Sequence, residues 1–143
     1  MELIDAIYKN DLSLFKKLVD NGSDVNFKDE KNHTVLYHTV DLAHTEIVEY
    51  LVKNKAIVDF DMLFLAVSTQ KHSVLEVFIE NGVDVNMVDE DGNNVLTKPV
   101  SDLFIKDTIE MLLDAGFDLY HKNNKGKNIM SVNNYFGVHD FFF

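Results

Sequence analysis

The apolar residues of this chain recur in one helical spacing. Leu14, Phe15, Leu18 and Val19 lie at i, i+1, i+4 and i+5, which is one face of a helix. Ile47, Val48, Leu51 and Val52 repeat the spacing, as do Val74, Leu75, Phe78 and Ile79. Ile109, Leu112 and Leu113 carry most of it again. Ahead of these segments stand the shorter pairs Leu3/Ala6, Leu36/Thr39 and Leu63/Ala66 at i, i+3. The pattern predicts units of two antiparallel helices joined by a short connection.

Each long apolar segment ends alike. Gly22, Gly82 and Gly116 follow it, as suits a left-handed position that closes a helix. Lys55 stands at the equivalent place, where a side chain costs about 1 kcal/mol. The steps between these positions are 33, 27 and 34 residues. The first two explain why "NGSDVNFKDEKNHTVL" at 21–36 returns as "NGVDVNMVDEDGNNVL" at 81–96. One full unit and one shortened unit separate the two strings.

Between units lie the polar stretches "NFKDEKNHT" and "NMVDEDGNN", with Gly92 and Gly126 at one turn position and Asn32 at the matching one. Both residue types tolerate positive φ, so these stretches are expected to form tight hairpin-like fingers. The shortened unit has no such stretch. "VDFDMLF" runs straight into a helix, with Asp61 as the expected N-cap.

Spacing and residue types resemble the ankyrin repeat, a turn plus a helix pair in about 33 residues. "DEKNHTVLYHT" at 29–39 and "DEDGNNVLTKP" at 89–99 match the start of that motif, and "EIVEYLVKN" and "NGVDVN" match its later part. Departures are plain. No copy has Pro-Leu-His, Tyr37, Phe64 and Thr97 stand where the His would be, and only Thr34 keeps the Thr. Pro99 replaces a small Ala and should shorten or kink its helix. The resemblance implies an all-α solenoid of about four helix-turn-helix repeats, in units near 1–28, 29–60, 61–88 and 89–122. A partial capping unit, 123–143, completes a single domain. Tyr135, Phe136 and Phe141–Phe143 are expected to fold back on Ile109 and Leu112.

Charge narrows the partners. The formal net charge is −11, and all thirteen basic residues are Lys. Such a surface repels phosphate backbones, so nucleic acid is not expected, and a basic protein surface is. There is no Cys, which removes disulfides and thiolate chemistry. The N-terminus lacks the lead of a signal peptide, and no apolar run reaches spanning length, so a cytoplasmic monomer is expected, with no membrane contact. Delivery into a host from a bacterium or virus fits equally.

Catalytic and metal chemistry form the competing class. The six His, at 33, 38, 44, 72, 121 and 139, form no H-E-x-x-H and fall in different layers, so neither zinc nor any other cofactor is expected. An EF-hand register on Gly92 would need ligands at Met87 and Lys98 and fails at both ends. No G-x-S-x-G and no Gly-rich phosphate loop occurs, and no enzyme is expected.

The expected function is non-catalytic binding of a protein on the concave face and finger tips. By register the resemblance assigns contacts to Tyr8, Asp41, Leu42, Ser68 and Thr69 on the first helices. Glu30, Lys31 and His33 belong to the first finger, and Glu90, Asp91 and Asn93 to the next. Tyr37 lies beside Leu42 and Tyr8. A more specific version is an acidic inhibitor, of the immunity-protein kind, that neutralises a basic enzyme or toxin.

Overall fold

The computed structural model describes residues 2–98 and 106–131. Among these residues are seven α-helices, and isolated bridging takes the place of any sheet. They are α1 (Glu2–Tyr8), α2 (Leu12–Asp20), α3 (Val35–Asp41), α4 (Thr45–Lys53), α5 (Phe60–Ser68), α6 (His72–Glu80) and α7 (Lys106–Asp114), followed by a 3-10 turn at Ile129–Ser131. Three of the four expected pairs are seen as α1–α2, α3–α4 and α5–α6, each packed internally, and α7 is the second helix expected of the fourth. First helices pack on one another in the order α1, α3, α5, and second helices in the order α2, α4, α6. This is the two-layer stacking of a helical solenoid.

Helices of seven to nine residues are marginal alone, so burial and caps hold them. Phe15, Leu36, Ile47, Leu51, Leu63, Leu75 and Phe78 are at most 1% exposed and form one continuous core along the stack. Thr34 caps α3 by accepting the Tyr37 amide at 3.0 Å. Asp11 caps α2 through the Leu14 amide at 2.9 Å.

The second helices close as expected. After α2 the amides of Gly22 and Ser23 reach the Val19 and Leu18 carbonyls, and the same paired bonds recur at Gly82/Val83 and Gly116/Phe117. At the fourth copy Lys55 takes φ 68° and makes the same pair with Ala56. The geometry of the turn thus prevails over the side chain that occupies it. Two asparagines 60 residues apart then stitch layers together. Asn26 Oδ1 accepts the Ile57 amide at 3.1 Å, and Asn86 Oδ1 accepts the Asp118 amide at 2.7 Å.

Three fingers share one hairpin. In the first, Lys28 bridges Thr34, the Asp29 amide donates to the His33 carbonyl and Asn32 sits at φ 66°. Asp89/Asn93 and Asn123/Lys127 repeat the closing bond, with Gly92 and Gly126 at the tips. Between Lys55 and α5 there is no hairpin. Here one expectation is corrected: Asp59, not Asp61, caps α5, accepting the Met62 amide at 3.0 Å. Asp61 lies inside the first turn, two residues too late to reach an orphan amide from outside the helix.

In the next unit Asn94 and Thr97 form a reciprocal cap. Asn94 Oδ1 accepts the Thr97 amide at 2.9 Å, and Thr97 Oγ1 accepts the Asn94 amide at 2.9 Å. The described part of that segment, to Lys98, is a turn. The expectations for Pro99 and for the terminal phenylalanines lie outside the described residues. Thr108 of α7 bonds His72 Nε2 at 2.8 Å, which ties α7 to the start of α6.

Candidate functional site

The first finger folds down beside α1 and α3, and this places its side chains against theirs. A groove of about 680 Å3 opens there, floored by Ile4, Tyr8, Phe27 and Tyr37 and rimmed by acids that include Asp5, Glu30 and Asp41. Of the residues assigned by register, Tyr8, Glu30, Lys31, His33, Tyr37 and Asp41 all line it. Tyr8 is 62% exposed, because its position at the C-terminal end of α1 points it away from the stack. Leu42 and Thr69 are exposed at the C-caps of α3 and α5, outside that lining.

His33 and Tyr37 stack at 3.9 Å between ring centroids and 12° between planes, forming a wall. Beyond this wall a second groove, about 450 Å3, is lined by Lys31, Phe64, Leu65 and Ser68 among others. It lies where the absent finger would have covered the start of α5. A third groove of about 570 Å3 flanks the same helix start, between Asp59, Asp61 and the next finger's Asp89, Glu90 and Asp91. Lys98 and Phe60 also line it, and the Lys98 ammonium sits 5.0 Å above each of the rings of Phe60 and Phe64.

Asn93 requires a correction. It is 8% exposed, not presented at a finger tip. Its side-chain amide donates to Asp89 Oδ2 at 3.2 Å, and its Oδ1 accepts from Asn123 at 2.8 Å, so it joins two fingers. Glu90 and Asp91 remain exposed, and only their backbone carbonyls engage Asn124.

A second correction concerns the histidines. His33 and His38 do not lie in separate layers; both face Asp29. Asp29 Oδ1 accepts the amides of Lys31 and His33, each at 2.9 Å. Its Oδ2 is thereby aimed at His38 Nε2, 2.9 Å away, and at His33 Nδ1, 3.9 Å away. The His33 amide bond, helped by the His38 imidazole and the Lys31 amide, holds the Asp29 carboxyl below the ordinary carboxylate range, against the opposing effect of burial. In the second finger burial pushes the Asp89 carboxyl upward, but the Asn93 amide and side chain, the Asp91 amide and nearby Lys98 together bring it below that range. Spacing along the chain could not show Asp29 and His38 as neighbours, because the finger closes nine residues into one contact.

Comparison with known proteins settles the class. A family model of ankyrin repeats matches residues 3–89 in three copies, more than half of the chain. The chain belongs to the ankyrin repeat family. It is 27% identical over 93% of its length to a putative ankyrin repeat protein of fowlpox virus. To a putative ankyrin repeat protein of Rickettsia bellii it is 26% identical over 96%. It is also 26% identical over 91% of its length to a glycerophosphocholine phosphodiesterase of Candida albicans. The chain spans 44%, 62% and 12% of these relatives' own lengths, respectively. The expected all-α ankyrin solenoid is borne out. Ankyrin repeats mediate protein–protein contacts, and the family is typically non-catalytic. No helix among the described residues is long and apolar enough to cross a membrane.

Proposed function

We propose that this ankyrin array binds a protein partner across its first helices and first finger, without catalysing a reaction. The observation that carries the reading is the groove between α1 and the first finger. Tyr8 and Phe27 of its aromatic floor are exposed, Tyr37 beside them is half-buried, and its rim is acidic. A buried aromatic anchor inside a charged rim is how interface energy concentrates. Leu42, Ser68 and Thr69 extend the surface along the same helix layer, and Glu90 and Asp91 extend its acidic character to the second finger.

The charge supports a basic partner surface. Asp59, Asp61, Asp89, Glu90 and Asp91 converge on the notch left by the missing finger, within a chain of net charge −11. Such an array is suited to inhibit a basic enzyme or toxin by covering it. The viral and rickettsial sources of two relatives support a role against a host protein. The test is capture from a host lysate with the full chain and with a Tyr8→Ala/Phe27→Ala/Asp41→Asn variant of unchanged helicity. Proteins retained by the wild type and lost by the variant are expected, and their binding should weaken steeply with salt. Identical capture by both chains would refute the groove as the binding surface.

A further inference from the structure

The first two of the three fingers are the same device with different contents. Asp29 corresponds to Asp89, His33 to Asn93 and His38 to Lys98, each 60 residues apart. In both fingers the Asp Oδ1 is pinned by the same two amides, which turns Oδ2 toward the residue nine positions further along the chain. In the second finger that oxygen faces a cation of the chain itself, the Lys98 ammonium, at 3.8 Å. In the first finger two imidazoles occupy the matching places.

We propose that Asp29, His33 and His38 form a binding site for a divalent first-row transition ion, which takes the place that the Lys98 ammonium fills in the sister finger. One donor atom from each of the three residues lies within 4.8 Å of the others. Ligand bonds of about 2.0–2.1 Å at tetrahedral angles need donors about 3.3 Å apart. The two separations measured from Asp29 Oδ2, 2.9 Å and 3.9 Å, bracket that value, and the His33 and His38 nitrogens lie within 4.8 Å of each other, so side-chain adjustment without refolding of the finger admits the ion. The Lys31 and His33 amides that donate to Oδ1 supply the outer hydrogen bonds that orient the carboxylate as a ligand. The three side chains are 12–35% exposed and line the groove beside Tyr8, which leaves an entry path and a fourth position for water or a partner's side chain. Two imidazoles and one carboxylate suit zinc, copper or nickel, whereas calcium and magnesium favour oxygen alone. Two of the remaining histidines are engaged elsewhere, His72 with Thr108 and His121 with the Gly92 carbonyl.

The sister finger also supplies the control. His38→Lys and His33→Asn rebuild the first finger in the image of the second and keep its turn. Tag-free full-length chain is titrated with zinc by calorimetry and with cobalt by visible absorption. The wild type should bind one ion per chain with nitrogen-ligand bands in the cobalt spectrum. Each single variant should bind at least about tenfold more weakly. The double variant, with unchanged circular dichroism, should not bind, and zinc should raise the melting temperature of the wild type alone. A wild type that takes up no zinc or cobalt overturns the proposal, as does a double variant that binds as the wild type does.

Discussion

Lys55 offers a test of how turn geometry and side chain share control of the fold. Its φ of 68° lies in the left-handed region, and it stands where Gly22, Gly82 and Gly116 stand in the other units. For an L-residue that region costs roughly 1–2 kcal/mol, and the greater freedom of glycine in the unfolded chain returns about 0.4–1 kcal/mol of this. Lys55→Gly should therefore stabilise the protein by about 0.5–1 kcal/mol. At a urea slope of about 1–3 kcal/mol per molar, the midpoint should rise by a few tenths molar. Lys55→Ala keeps the strain and removes the exposed side chain, so it should leave the midpoint nearly unchanged. The reciprocal change is Gly82→Ala. A Cβ there meets nothing within 4 Å, so backbone strain, offset in part by the stiffer unfolded chain, is the cost, about 0.5–1 kcal/mol of destabilisation. Urea unfolding followed by circular dichroism measures all three. If Lys55→Gly is neutral or destabilising while Lys55→Ala is neutral, the strain argument fails.

Further outcomes follow from the contacts described. Gly92→Ala should cost more than Gly82→Ala, because its Cβ would lie 2.6 Å from Asn124 Oδ1 as well as at positive φ; the same unfolding assay compares them. Asn86→Ala removes the bonds to the Asp118 amide and the Gly116 carbonyl and should destabilise by about 1–2 kcal/mol, with hydrogen exchange quickening first around residues 116–118. Leu63→Ala opens the fully buried contact between stacked layers and should cost about 2–5 kcal/mol, read from the same urea midpoint. Asp29 and Asp89 have folded pKa values below their ordinary ones, so their stabilising effect is complete above the unfolded value of about 3.9 and fades as pH falls through the folded one. Asp29→Asn/Asp89→Asn should flatten the acid limb of stability against pH. An unchanged limb would refute the assignment.

The helical spacing of Leu14, Phe15, Leu18 and Val19 and its later copies was legible because burial imposes a period on sequence. The left-handed turns were legible because few residues tolerate positive φ, and even Lys55 was placed by its neighbours. Asp61 was misassigned as a cap because Asp59 offers the same side chain two residues earlier. Asn93 was misplaced for a different reason: its partner Asn123 belongs to another finger, and neither period nor turn chemistry reports contacts between units.

The sequence alone therefore determined the class of fold and the positions where the backbone must reverse. These follow from interactions within some five residues, which every copy repeats. The tertiary structure decided which side chains meet. It brought Asp29, His33 and His38 together, set Lys98 over Phe60 and Phe64, and opened the groove beside Tyr8. Those contacts depend on how a finger folds down on the helices beside it. That packing leaves no period in the chain, since each finger keeps the same backbone while carrying different side chains.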